Sequence, residues 1–86
     1  MNLVFAPQAW GDYQHGVDTG RKLVKRINEL FKDAVRNPYS GIGKPELLRH
    51  ALSGFWSRRI PDEHRMVYRV AGNNLEIAQL RLLYAK

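Results

Sequence analysis

Leu23, Val24, Ile27, Leu30, Phe31, Ala34 and Val35 recur at i, i+1, i+4, i+7, i+8, i+11 and i+12, the stripe of a helix that buries one face. The opposite face carries Lys22, Lys25, Arg26, Glu29, Lys32, Asp33 and Arg36, with Thr19 as the N-cap and Asn37-Pro38 as the stop. That face is either the solvated side of a core helix or a basic docking surface. Upstream, Met1 to Phe5 is rich in strand formers and ends at Ala6-Pro7, where proline suits a first helical turn. Trp10, Tyr13 and Val17 then recur at helical steps. Gly11 and Gly16 each weaken a helix by about 1 kcal/mol relative to alanine, so the pattern predicts a short one.

Pro38, Gly41, Gly43, Pro45 and Gly54 make Asn37 to Gly54 a long irregular connection, with one turn around Leu47 to Leu52. Phe55 to Ile60 and His64 to Ala71 read as strands joined by Pro61-Asp62-Glu63, and Leu75 to Tyr84 reads as the last strand after Gly72-Asn73-Asn74. Met66, Tyr68 and Val70 alternate with Arg65, Val67 and Arg69, so one sheet face is expected to be buried and the other to carry arginines. A strand, two helices, a loop and an antiparallel meander give an α+β fold in which the helices cover one sheet face. The other face is left free to bind.

At 86 residues the chain supports one domain, 1–86. Hydrophobic residues at 44% and charged residues at 26% are the balance of a chain that folds. Fourteen Lys and Arg against eight Asp and Glu leave +6, with an isoelectric point of about 10.1, which points to an anionic partner: a phosphate backbone, an anionic membrane surface or an acidic protein. The absence of cysteine removes disulfides, thiol nucleophiles and cysteine-ligated metals. The apolar N-terminal run is too short for a secretory signal and no window reaches a membrane span, so a soluble, cytoplasmic protein is expected.

Gly41-Ile42-Gly43-Lys44-Pro45-Glu46 is not a dinucleotide fingerprint, because Glu46 stands where the third glycine is needed. His15, His50 and His64 lack the spacing of metal ligands, and no serine lies in a nucleophile elbow; neither metal nor cofactor is expected. What remains is Glu46, Arg49, His50, Arg58, Arg59, Glu63, His64, Arg65 and Arg69, interleaved with Phe55, Trp56 and Tyr68. Guanidinium groups with aromatic neighbours suit RNA, where cations hold phosphates and rings stack on bases. The same residues also fit an aromatic core with solvated arginines. RNA cleavage by acid–base chemistry needs a base for the 2′-hydroxyl proton, cations for the phosphorane and an acid for the leaving 5′-oxygen. Glu46 is a candidate base, a surface ion pair being its other reading.

The stretch Gly43-Lys44-Pro45-Glu46-Leu47-Leu48-Arg49-His50, the segment Leu52-Ser53-Gly54-Phe55-Trp56-Ser57-Arg58-Arg59-Ile60 and the following Asp62-Glu63-His64-Arg65-Met66-Val67-Tyr68 closely resemble the YoeB/Txe toxins of the RelE superfamily. Trp10-Gly11-Asp12-Tyr13 and Lys25-Arg26-Ile27-Asn28-Glu29-Leu30 extend the likeness over nearly the whole chain. The resemblance implies a microbial-ribonuclease-like fold, with the N-terminal strand and two helices packed on an antiparallel sheet. It further implies a bacterial toxin that enters the ribosomal A site and cuts translated mRNA. Its partners would be a cognate YefM/Axe-type antitoxin, the ribosome and mRNA, and operator DNA only through the antitoxin complex; a homodimer also fits the family pattern.

By matching positions, Glu46 resembles the general base, Arg65 the main cation on the scissile phosphate and Tyr84 the terminal aromatic. Arg59 and Glu63 complete the charged site, and Arg49 and His50 add to its RNA-binding side. The chain departs from the family at Leu83, where family members carry the histidine of a terminal His-Tyr pair. Leucine transfers no proton, which implies an attenuated toxin, a substitute acid in His50, His64 or Tyr84, or a sequence altered to permit production. The competing readings are a non-catalytic ParE-like toxin that inhibits an enzyme by binding, and an inactive RNA- or antitoxin-binding variant.

Overall fold

The computed structural model describes residues 1–61 and 63–81. Strand β1 (Asn2–Phe5) leads into helices α1 (Pro7–Thr19) and α2 (Arg21–Arg36). After a loop come β2 (Glu46–Leu47), a 3₁₀ turn at His50–Leu52, β3 (Trp56–Arg59), β4 (Arg65–Ala71) and β5 (Asn74–Gln79). The strands form one five-stranded sheet in the order β1-β5-β4-β3-β2.

The expected α+β architecture is present, but the sheet is mixed and not purely antiparallel. β1 runs parallel to β5, with Asn2 opposite Asn74 and Phe5 opposite Ile77. Nothing local to Met1–Phe5 encodes that direction, because the partner strand lies 72 residues downstream. β2, hidden within a glycine- and proline-rich stretch, holds the far edge through Glu46–Ser57 and Leu47–Trp56 pairing.

The amphipathic stripe of α2 buries Ile27, Leu30, Phe31 and Ala34 against Met66, Tyr68, Leu75, Ile77 and Leu80 of the sheet side. α1 has 13 residues, longer than its glycines suggest. Tertiary packing outweighs propensity here. Phe5, Trp10, Tyr13 and Phe31 form an aromatic cluster with centroids 5.5–6.1 Å apart, and the Tyr13 hydroxyl donates to Asn28 Oδ1 at 2.9 Å, pinning α1 onto α2. Thr19 is not the cap of α2. Its hydroxyl donates to His15 O at 2.8 Å inside α1, and Gly20, in extended backbone, separates the helices. Asn37 ends α2 as expected.

β5 stops at Gln79, well short of Tyr84; Leu83 and Tyr84 lie outside the described residues. Its end is tied to α1, since Leu80 N donates to Asp12 Oδ2 at 3.0 Å. Among the described residues no helix is long and apolar enough to cross a membrane.

Candidate active site

Strand alternation divides β3 between two faces. Trp56 and Arg58 stand opposite Tyr68 and Met66 and point toward the helices, whereas Ser57 and Arg59 stand opposite Val67 and Arg65 on the other face. Glu46 is opposite Ser57 and Gln79 is opposite Val67, so one row on that face runs Glu46, Ser57, Val67, Gln79. The next row, about 7 Å along the strands, holds Arg59 beside Arg65. Ser57 and Val67 are buried, so this face is covered at its centre and exposed around it.

Two guanidinium side chains at directly opposed positions repel each other and cost stability. An anion placed between them removes that cost. Arg65 is half-buried and directed in part by its Nη1, which donates to His64 O at 3.0 Å, while Arg59 is exposed. Glu46 lies on the same face and lines an open groove of about 720 Å³ with Arg49, His50, Leu52 and Gln79. His50 opens the 3₁₀ turn with φ of 60° and lines the groove. Glu63 is exposed in the turn that leads into Arg65. The structure therefore gathers Glu46, Arg49 and His50 around one groove, with the Arg59–Arg65 pair beside it. Among the described residues no group of three or more His, Cys, Asp or Glu could hold a metal ion.

Gln79 joins this face through a device the residue pattern did not reveal. A register shift in the β4–β5 pairing places Tyr68 opposite Ile77 but Val67 opposite Gln79, one extra residue on β5. The shift rephases the strand so that Leu75, Ile77 and Leu80 are all buried. The break from period two in Leu75, Ile77, Leu80 was the available signal.

Three members of the basic and aromatic cluster belong elsewhere. Arg58 is fully buried on the helix side, and all five of its N–H groups are used. Nε donates to Tyr68 Oη at 2.9 Å, Nη1 to Asp33 Oδ2 at 2.6 Å and Ile42 O at 3.1 Å, and Nη2 to Asn37 O at 2.6 Å and Ser40 O at 2.8 Å. Tyr68 is buried, donates to Pro38 O at 2.6 Å, and its phenol is pushed up from 10.0 by burial, so it stays protonated. Trp56 packs on Tyr39 with centroids 5.0 Å apart. For Trp56 and Tyr68 the core reading holds: Tyr68 is fully buried, and Trp56 is partly buried and packed against the core. Arg69, opposite Glu76, binds Glu76 Oε1 at 2.6 Å and lies 5.0 Å over the Phe55 ring, so its charge is compensated.

The glycines of the 37–43 loop serve Arg58 and not a nucleotide. Gly41 has φ of 114°, and a Cβ there would run into Asp33 Oδ2, the oxygen that holds Arg58 and accepts from Ile42 N at 3.0 Å. Gly41→Ala is therefore expected to cost about 1–3 kcal/mol, from backbone strain and a displaced carboxylate. Urea unfolding checks this; an unchanged midpoint would contradict it.

The sequence matches the model of the YoeB-like toxins of bacterial type II toxin–antitoxin systems over residues 5–84. It is 51% identical over 84 residues to Toxin YoeB of Escherichia coli K12, covering 98% of this chain and 100% of that protein. Toxin YoeB of Streptomyces coelicolor is 48% identical over the same shares. The structure is similar to a YoeB/ParE toxin from Agrobacterium tumefaciens, with TM-score 0.94 and 45% identity over 98% of this chain and 100% of that one. It also resembles the toxin chain in a heterotetrameric YoeB–YefM complex from Staphylococcus aureus, with TM-score 0.89 and 47% identity over 98% of each.

Proposed function

Because the chain belongs to the YoeB-like toxins of bacterial type II toxin–antitoxin systems, we propose that it is a ribosome-dependent endoribonuclease that cuts translated mRNA in the A site. The observation that carries this reading is the Arg59–Arg65 pair beside Glu46 on one sheet face, with Glu46 and Arg59 exposed. Glu46 takes the 2′-hydroxyl proton, and the freed oxygen attacks the adjacent phosphorus. Arg65 and Arg59 hold the extra negative charge of the phosphorane. The bond to the 5′-oxygen then breaks as water protonates that oxygen, leaving a 2′,3′-cyclic phosphate and a 5′-hydroxyl.

Leu83 stands where the family's acid would serve, so the last step is slow. A general acid typically contributes about 10²–10⁴-fold. Leu83→His is expected to raise the cleavage rate toward that range. A variant that cuts no faster than the parent would count against attenuation at this position.

A YefM/Axe-type antitoxin is the proposed inhibitor, since the similar Staphylococcus aureus protein forms a complex with YefM. Self-association is part of the same reading, because a dimer of that relative is known. Operator DNA is reached only through the antitoxin complex, and the site of action is the cytoplasm.

The test is translation of a defined mRNA on bacterial ribosomes with primer extension of the 5′ ends. Cuts in the A site that require the protein support the reading. Tight ribosome binding without cuts, from the parent and from Leu83→His alike, overturns it in favour of inhibition by binding.

A further inference from the structure

Glu46 lies on a strand of two residues, too short to hold its own place. Its register depends on how the chain is fastened on either side. Downstream, Leu48 N donates to Phe55 O at 2.9 Å. Upstream, Arg59 N donates to Gly43 O at 2.6 Å, three residues before Glu46. Gly43 in turn ends the segment whose carbonyls at Asn37, Ser40 and Ile42 converge on the Arg58 guanidinium. A Cβ at Gly43 would lie 2.7 Å from Leu30 Cδ2 and 3.1 Å from Arg58 Cβ, so the loop is seated directly against both.

Consecutive residues of β3 thus meet the same loop from both sides of the sheet. Ser57 pairs with Glu46, Arg59 carries the site's cation and binds Gly43 by its backbone, and Arg58 between them grips the loop from the core. The geometry points to Arg58 as a positioning residue: from the far face of the sheet, its five hydrogen bonds fix where Glu46 stands relative to Arg59 and Arg65. This assignment rests on the nuclease reading for its consequence in rate, but its geometric part does not. Misplacement of a reacting group by about 1 Å can cost about 10²-fold, so a small loosening of the loop has a large kinetic readout.

Tyr68→Phe removes the hydroxyl that links Arg58 Nε to Pro38 O, and Arg58→Lys keeps the charge but cannot reach all five acceptors. Both are compared with the parent well below their unfolding midpoints, so that the folded fraction is the same. Two readouts are taken. Amide exchange is expected to quicken at Arg59 and Leu48, whose N–H groups fasten the strand at its two ends, with the β4–β5 ladder unchanged. The single-turnover cleavage rate at saturating ribosomes is expected to fall at least about tenfold with half-saturation unmoved. Arg58→Lys should lose more than Tyr68→Phe.

Exchange at Arg59 and Leu48 that matches the parent overturns the assignment, whether or not the parent cuts RNA. Quickened exchange with an undiminished rate also overturns it, because the loop would then not set the rate. A parent that cuts nothing overturns the nuclease reading instead, and local loosening in the variants would still support Arg58 as the residue that places Glu46.

Discussion

Glu46→Gln is expected to lower cleavage by about 10²–10⁴-fold while ribosome binding survives. The amide is nearly the same size as the carboxylate and cannot take the 2′-hydroxyl proton. The cations proposed to meet phosphate, Arg59, Arg65 and Arg49, are untouched by the change. Stability should also be nearly unchanged, because Glu46 is exposed at the sheet edge. The measurement pairs 5′-end mapping rates with ribosome affinity by sedimentation. Loss of binding in parallel with cleavage would make Glu46 a contact residue and not a base.

Arg58→Met is expected to destabilise the fold by about 2–4 kcal/mol, since several part-buried acceptors lose their donor while Asp33 stays partly open to water. Three carbonyls, the Asp33 carboxylate and the Tyr68 hydroxyl lose their donor together. A small domain has only about 5–15 kcal/mol in total, so the variant should be partly unfolded near its working temperature. The neighbouring Arg59→Met makes the contrast. Arg59 is exposed opposite Arg65, and its removal relieves a like-charge contact, so stability should stay within about 0.5 kcal/mol or rise. Urea titrations of both variants decide this; equal losses would mean that the two arginines are not divided between core and site.

Acid adds a second view of the same pair. The hydrogen bond from Arg58, helped by the Ile42 N–H, holds the Asp33 carboxyl below its ordinary 3.8. A carboxyl with a depressed folded pKa contributes stability that is fully present above about 3.8 and is lost as pH falls from there through the folded value. The Arg58→Met variant should lack that portion of the acid transition.

The α2 stripe and the alternation of β4 were readable because each is a local period imposed by a buried face. β1's direction was not, since parallel pairing with β5 is decided by the chain's far end. β2 escaped because two residues show no period at all. In the candidate site, Glu46, Arg49, His50, Arg59 and Arg65 belong to a larger basic cluster visible in the sequence and are singled out by the family resemblance; the structure sets them on one face or its groove. Arg58 was not separable from Arg59 by composition. Adjacent residues in a strand must face opposite ways, so one of the two had to point inward, but only the register with Met66 and Tyr68 says which. Gln79 required the register shift in β5.

The parallel β1–β5 pairing also orders events during synthesis. Asn2 meets Asn74 across 72 residues, and the row that carries Glu46 ends at Gln79. A chain that has not reached residue 79 can assemble neither all five strands of the sheet nor the complete row. Long-range pairings of this kind form late. A growing chain therefore carries an unfinished sheet with an unpaired first strand until residues 74–79 have been made and freed from the ribosome.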